Sequence, residues 1–309
     1  MPSESANTLR IEQSPEPVES EPALLGLKRR KVSLSCGDIS YIEEGEGPCI
    51  LLLHGAPVTS LGFVRVIREL KAHYRVIAPD FPGFGRSTLR SDNKITLETS
   101  AAFIEEFCRE LKLDQLYLFG NDSSGCTGLA AASNLSDRIA GLIIADTVPV
   151  PLNGRAWLVR MILKHVVTSW PVRALNARFN VLPWLVATVA PWLRPFSREE
   201  RRVLISQYDT RTKRDLILDV FAQMAVNTAF MEATAKRVAQ SLRNKPALIL
   251  SGQFDPVRFV GGVSRFREMF PNHEVGIIPF EEHFPILSSG EKVARVIDQF
   301  CKGVEARKD

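Results

Sequence analysis

Short apolar runs of strand length alternate with helically spaced segments along most of this 309-residue chain. Val32–Ser35 and Ile39–Ile42 alternate as two antiparallel strands would around a turn at Gly37-Asp38. Cys49–His54 (CILLLH), Tyr74–Ala78 and Ile139–Ile144 are near-continuous apolar runs, the pattern of strands buried on both faces. Between them, Ser60–Leu70 sets Phe63, Val64, Ile67 and Leu70 on one helical face, and Thr99–Leu111 also reads as a helix. Such alternation predicts an α/β fold, a mostly parallel sheet with helices on both faces. From residue 148 to 236 the periodicity is helical only. Alternation then resumes with a strand at Ala247–Leu250, a helix at Gly262–Met269, a strand at Glu274–Ile278 and a helix at Glu291–Cys301. The predicted organisation is therefore a core of residues 25–147 and 237–309, interrupted by a helical insertion at 148–236. Residues 1–24, rich in Glu, Ser and Pro, bury too little apolar surface to fold and are expected to form a disordered tail.

Composition narrows the class. Hydrophobic residues at 45% and charged ones at 24% are ordinary for a globular protein. A net charge of +4, with no stripe of basic and aromatic residues, argues against nucleic acid. The basic run Lys28–Lys31 reads as a solvated strand edge. Five scattered cysteines (36, 49, 108, 126 and 301) lack metal-ligand spacing and read as reduced thiols, with a cytoplasmic location expected. Val181–Leu193, the longest apolar stretch in the middle of the chain, is broken by Pro183 and Pro191. It falls short of the roughly 20 residues a membrane span needs.

The chemistry centres on Leu116–Gly125, LYLFGNDSSG. An apolar strand runs into Gly120 and three small polar residues, and Cys126–Ser133 follows with helical character. Strand, sharp turn and helix make the frame of a nucleophile elbow, Gly-x-nucleophile-x-Gly. On this frame Asp122 occupies the nucleophile position and Ser124 the second small position. A carboxylate nucleophile needs a base to activate water. Of five histidines, His73, His165 and His273 have no acidic partner implied, and His54 at a strand end reads as structural. His283 follows a predicted strand in Phe280-Glu-Glu-His-Phe-Pro285, and Asp255 follows another in Ser251-Gly-Gln-Phe-Asp-Pro256. Nucleophile, acid and histidine then occur in the order expected of a strand-end triad. Asp255 could also cap a helix, and Asp146 is a rival acid. Glu281 and Glu282 are expected to be solvated, and Arg86 and Ser87 to brace their own loop.

These motifs together resemble the α/β-hydrolase superfamily, in its haloalkane dehalogenase and epoxide hydrolase branch. The likeness rests on His54-Gly-Ala-Pro57, Asp80-Phe-Pro-Gly-Phe-Gly-Arg-Ser87, Gly120–Gly125, Gly252-Gln-Phe-Asp-Pro256 and Glu282-His-Phe284, over residues 30–147 and 240–301. It implies Asp122 as nucleophile, His283 as base and Asp255 as orienting acid, with the backbone N–H groups of Ala56 and Ser123 as the oxyanion donors. It implies no cofactor and no metal, and a small or medium apolar molecule as substrate. Oligomeric state is not legible in it. The helical insertion corresponds to a cap holding all four tryptophans, of which Trp157 and Trp170 are candidates for substrate contact, as is the insertion's one tyrosine, Tyr208. For each of these, packing is the competing reading.

The chain departs from both subclasses. Dehalogenases usually have Trp after the nucleophile and Asn or Glu after the His-Gly pair, where Ser123 and Ala56 stand. Epoxide hydrolases usually carry two cap tyrosines. An Asp nucleophile suits attack on an sp³ carbon, since attack on an ester carbonyl gives an anhydride. Two alternatives stay open: a serine-type ester or lactone hydrolase using Ser123, and a non-hydrolytic ligand-binding or rearrangement protein.

Overall fold

A computed structural model describes residues 26–147, 157–188 and 197–307. The predicted N-terminal tail and Trp192 lie outside these residues. Eight strands form one sheet in the order β1-β2-β4-β3-β5-β6-β7-β8. They are β1 (Arg29–Leu34), β2 (Gly37–Glu44), β3 (Cys49–Leu53), β4 (Arg75–Pro79), β5 (Leu116–Asn121), β6 (Ile139–Ala145), β7 (Ala247–Gly252) and β8 (His273–Ile278). β1 and β2 are antiparallel to each other, and β2 runs antiparallel to β4. All pairings from β4 through β8 are parallel.

The four consecutive strands β3, β5, β6 and β7 are buried at every position. That burial explains their unbroken apolar runs, because helices cover both faces. On one side α1 (Val64–Leu70) packs against α13 (Gly290–Glu305), with Phe63, Ile67, Ile297 and Phe300 in the shared core. On the other side α2 (Leu97–Glu110) packs on α3 (Ser123–Asn134), burying Phe103, Ile104, Phe107 and Leu129. Helix α2 starts on a capping box, in which Thr96 and Thr99 each satisfy the other's backbone N–H.

Between β6 and β7 the described residues are helical. They comprise α4 (Trp157–Ile162), extended by a π-helical turn at Leu163–Val167, α5 (Trp170–Phe179), α6 (Val181–Thr188), α7 (Arg198–Ser206), α8 (Arg211–Val226) and α9 (Thr228–Ser241). Helix α9 continues past residue 236 and packs on α3 of the core. The remaining helices are α10 (Pro256–Phe259), α11 (Gly262–Met269) and α12 (Pro285–Ser288). Among the described residues no single helix is long and apolar enough to cross a membrane.

Two expectations about surface charge need correction. Glu281 is fully buried and Glu282 nearly so, because the Glu281 carboxylate accepts the hydroxyls of Ser288 and Ser289 and so replaces its water. The run at Lys28–Lys31 is not wholly solvated either. Arg29 reaches inward to pair with the buried Asp80 at 3.0 Å. Arg86 and Ser87 brace their loop as expected: the Arg86 N–H donates to Asp80 at 3.1 Å and the Ser87 hydroxyl to the Asp80 carbonyl at 2.7 Å.

Candidate active site

Parallel strands deliver loops to one edge of a sheet, at their carboxyl ends. Here the ends of β3, β5, β6, β7 and β8 carry Ala56, Asp122, Asp146, Asp255 and His283. Residues 56 and 283 are thereby brought to one place by topology rather than by local sequence.

Asp122 sits between β5 and α3 with φ 49° and ψ −120°, a conformation that L-residues rarely adopt. Three bonds hold it. Its N–H donates to Ala145 O at 3.3 Å, and its carbonyl accepts the Gly125 N–H at 3.1 Å and the Thr147 hydroxyl at 2.6 Å. The elbow closes because its neighbours are small. A Cβ on Gly125 would lie 2.3 Å from the Thr147 hydroxyl oxygen. Ser124 donates its hydroxyl to Leu53 O and Asn121 O, both at 2.8 Å, tying the ends of β3 and β5 together.

His283 stands between two carboxylates. Its Nε2 is 3.5 Å from Asp122 Oδ1, and its Nδ1 is 3.0 Å from Asp255 Oδ1. Asp255 also caps α10, accepting the Val257 N–H at 2.9 Å, so one carboxylate both caps the helix and meets the His283 ring. Gly252 permits the approach of the two loops, since a Cβ there would lie 1.9 Å from Glu282 O. Burial opposes a charge on His283, but the Asp255 charge and the hydrogen bonds the ring donates to both aspartates outweigh it and raise its pKa well above the ordinary value. Burial likewise opposes ionisation of Asp255, and the charge and hydrogen bond of His283 reverse that, lowering its pKa.

Asp146 does not face the histidine first. It is fully buried, its Oδ1 accepts the Gly252 N–H at 2.9 Å, and its neighbour is Asp255. Burial and then the Asp255 charge push its pKa well up, so of the two carboxyl groups Asp146 is the one that holds a proton more tightly.

The Ala56 N–H donates to the Ser123 hydroxyl oxygen at 3.0 Å. One of the two expected oxyanion donors is thus occupied by a side chain. The Nε2 of His283 faces Asp122, the residue before Ser123. His54 is structural: its Nε2 accepts the Phe81 N–H at 2.9 Å, which leaves Nδ1 to donate to Gly55 O at 3.2 Å. Burial keeps it neutral by lowering its pKa.

A cleft opens beside the elbow, walled by Ala56, Ser123, Phe84, Leu97, Val220 and Gln223 among others. Val220 and Gln223 come from α8 and carried no motif. The available signal was a single Gln in the apolar run Leu216–Val226. The aromatic candidates lie elsewhere. Trp157 and Trp170 are 58% and 80% exposed, and Tyr208 is buried against Phe84 at 6.4 Å between ring centres, its hydroxyl without a partner among the described residues.

The family model for the alpha/beta hydrolase fold matches residues 48–289. The chain belongs to the α/β-hydrolase family. Haloalkane dehalogenase 2 of Mycobacterium tuberculosis is 28% identical over 90% of this chain and 96% of its own length. A cis-3-alkyl-4-alkyloxetan-2-one decarboxylase of Shewanella oneidensis is 24% identical over 91% of each chain. Among solved structures, the haloalkane dehalogenase of Bradyrhizobium elkani superposes with a TM-score of 0.76 at 20% identity, over 91% of this hydrolase and 99% of that chain. That likeness shows a shared fold.

Proposed function

We propose that this hydrolase uses Asp122 as a nucleophile on an sp³ carbon of a small or medium apolar substrate, as a haloalkane dehalogenase or epoxide hydrolase would. The observation that carries the reading is the line Asp122–His283–Asp255 at 3.5 and 3.0 Å. An Asp122 oxygen forms a bond to carbon as the carbon–leaving-group bond breaks, giving a neutral ester and a departing anion. In the free enzyme the raised pKa of His283 favours an imidazolium paired with Asp122. Once Asp122 is esterified, its charge is gone and His283 releases its proton to solvent as the counter-charge of the departing anion. The neutral imidazole then takes a proton from water, and the resulting hydroxide attacks the Asp122 carboxyl carbon. On collapse the imidazolium returns that proton to the leaving alkoxide, which releases the alcohol and restores the carboxylate. Asp255 stays ionised and orients the ring.

The Ser123 hydroxyl accepts from Ala56 and so has its own hydrogen left to meet a leaving group, in place of the indole N–H usual at that position. The helical insertion acts as the cap, with Val220 and Gln223 of α8 as its contribution to the wall.

The test is a covalent trap. His283→Gln, exposed to a panel of alkyl bromides, epoxides and four-membered lactones, accumulates an adduct that intact mass resolves and peptide mapping assigns to Asp122. Unmodified His283→Gln beside an active wild type refutes the proposal. The oxetanone decarboxylase relative supports a second reading. Asp122 opens a strained lactone at its sp³ carbon, with a carboxylate as the leaving group, a reaction that needs no halide donor.

A further inference from the structure

Between Asp146 and Glu199 the sequence contains no acidic residue, yet it contains seven Lys or Arg and all four tryptophans of the chain. The described part of this stretch, α4 through α6, turns many of its large apolar side chains outward. Trp157, Met161, Ile162 and Val166 recur at helical spacing and are between 41% and 58% exposed. Trp170, Phe179 and Trp184 continue the exposed surface on α5 and α6 at 80%, 64% and 50%. The inner side of the same helices is satisfied by the protein. Arg160 donates to Ala225 O at 2.9 Å, Arg173 pairs with Asp219 at 2.8 Å, and Leu163 packs on the cluster around Met224 and Met231. Lys164 and Arg178 remain on the exposed side, with the Arg178 guanidinium 5.3 Å from the centre of the Phe179 ring.

Large apolar side chains exposed together on three helices that touch one another mark an interaction site rather than ordinary exposure. Helices that lie in a membrane interface combine Trp, Phe and Leu with Lys and Arg and exclude acidic residues, because anionic headgroups attract the cations while the apolar side chains enter the acyl boundary. We propose that the outer face of α4, α5 and α6 docks on a bilayer surface bearing anionic phospholipid headgroups. Charge decides against a second copy of the chain. A two-fold dimer would set this face against itself, bringing like charges together with no Asp or Glu from the stretch to answer them. The active site is not part of the argument, so the proposal stands or falls apart from the choice of substrate.

The test is co-sedimentation of the full chain with vesicles of equal parts phosphatidylcholine and phosphatidylglycerol, read beside vesicles of phosphatidylcholine alone. The expected result is binding to the anionic vesicles with a blue shift of tryptophan emission. Lys164→Glu with Arg178→Glu should weaken that binding by at least about tenfold, and Trp170→Ser should reduce both binding and shift, with unchanged melting temperatures reporting intact folds. Absence of binding to the anionic vesicles overturns the proposal. So does a concentration-dependent dimer in sedimentation velocity that the same substitutions abolish, because a second copy would then be the occupant.

Discussion

Gly55 meets the proposed nucleophile across a gap that only glycine leaves. A Cβ at this position would lie 2.6 Å from both Cβ and Oδ2 of Asp122, and 2.8 Å from Asn121 O. Optimal non-bonded separation is about 3.5 Å, so Gly55→Ala creates an overlap of roughly 0.9 Å. The Asp122 backbone cannot yield, because its N–H and carbonyl are held by Ala145, Gly125 and Thr147. The carboxylate must move instead, by about the size of the overlap. A displacement near 1 Å at a reacting group costs about 100-fold in rate, equivalent to about 2.7 kcal/mol in the barrier. The overpacking itself should destabilise the fold by about 1–3 kcal/mol. Rapid-quench measurement of ester formation in a single turnover, with a panel substrate the wild type consumes, should show that loss. A thermal melt run beside it should report a folded enzyme. A folded Gly55→Ala enzyme that forms ester at the wild-type rate refutes the placement of the attacking oxygen against Gly55.

Three further outcomes follow from the same geometry. Asp255→Asn should lower the pKa of His283, whose raised value rests first on the Asp255 charge, and slow ester hydrolysis more than ester formation; NMR titration of the ring and separate rates for the two steps check this. The wild-type stability from His283 is fully present below its unfolded pKa of about 6.5 and is lost as pH rises through the higher folded value, so this part of the pH dependence should shrink in the variant to what Asp122 supplies. Asp146 has a raised folded pKa, so its favourable contribution is lost as pH rises from about 3.9, whereas asparagine does not titrate. Asp146→Asn should therefore gain on the wild type by up to about 1.4 kcal/mol per pH unit in that window, measured by denaturation at several pH values. Arg29→Met leaves the buried Asp80 without its counter-charge and should cost about 3 kcal/mol in urea unfolding; a neutral result would show that the Ser60 and Arg86 N–H groups suffice.

The strands and the order of the site motifs were legible because their signals are local. An unbroken apolar run such as Ile139–Ala145 reflects burial on both faces, and the turn at Asp122 is set by adjacent small residues. What escaped depends on approach between distant segments. Arg29 finds Asp80 across the antiparallel edge of the sheet, and Glu281 finds Ser288 and Ser289 only because α12 folds back over its loop. Both looked solvated in a sequence that records charge but not proximity. The same limit applied to Asp146 and Asp255. Read as rivals for one role, they are neighbours at the ends of β6 and β7, one with its pKa pushed up and the other with its pKa held down. Helix periodicity in the insertion was visible, but not which face turned inward: Trp157 and Trp170 point to solvent, while Val220 and Gln223 reach the cleft.

A single turnover in oxygen-18 water, with enzyme in excess over a substrate that the wild type consumes, tests the role of Asp122 most directly. If Asp122 attacks carbon and water then attacks the ester, the first alcohol released carries the carboxylate's ordinary oxygen, and the label appears in the peptide containing Asp122. Labelled alcohol with an unlabelled Asp122 peptide would mean that water attacks the substrate itself, and would contradict the account.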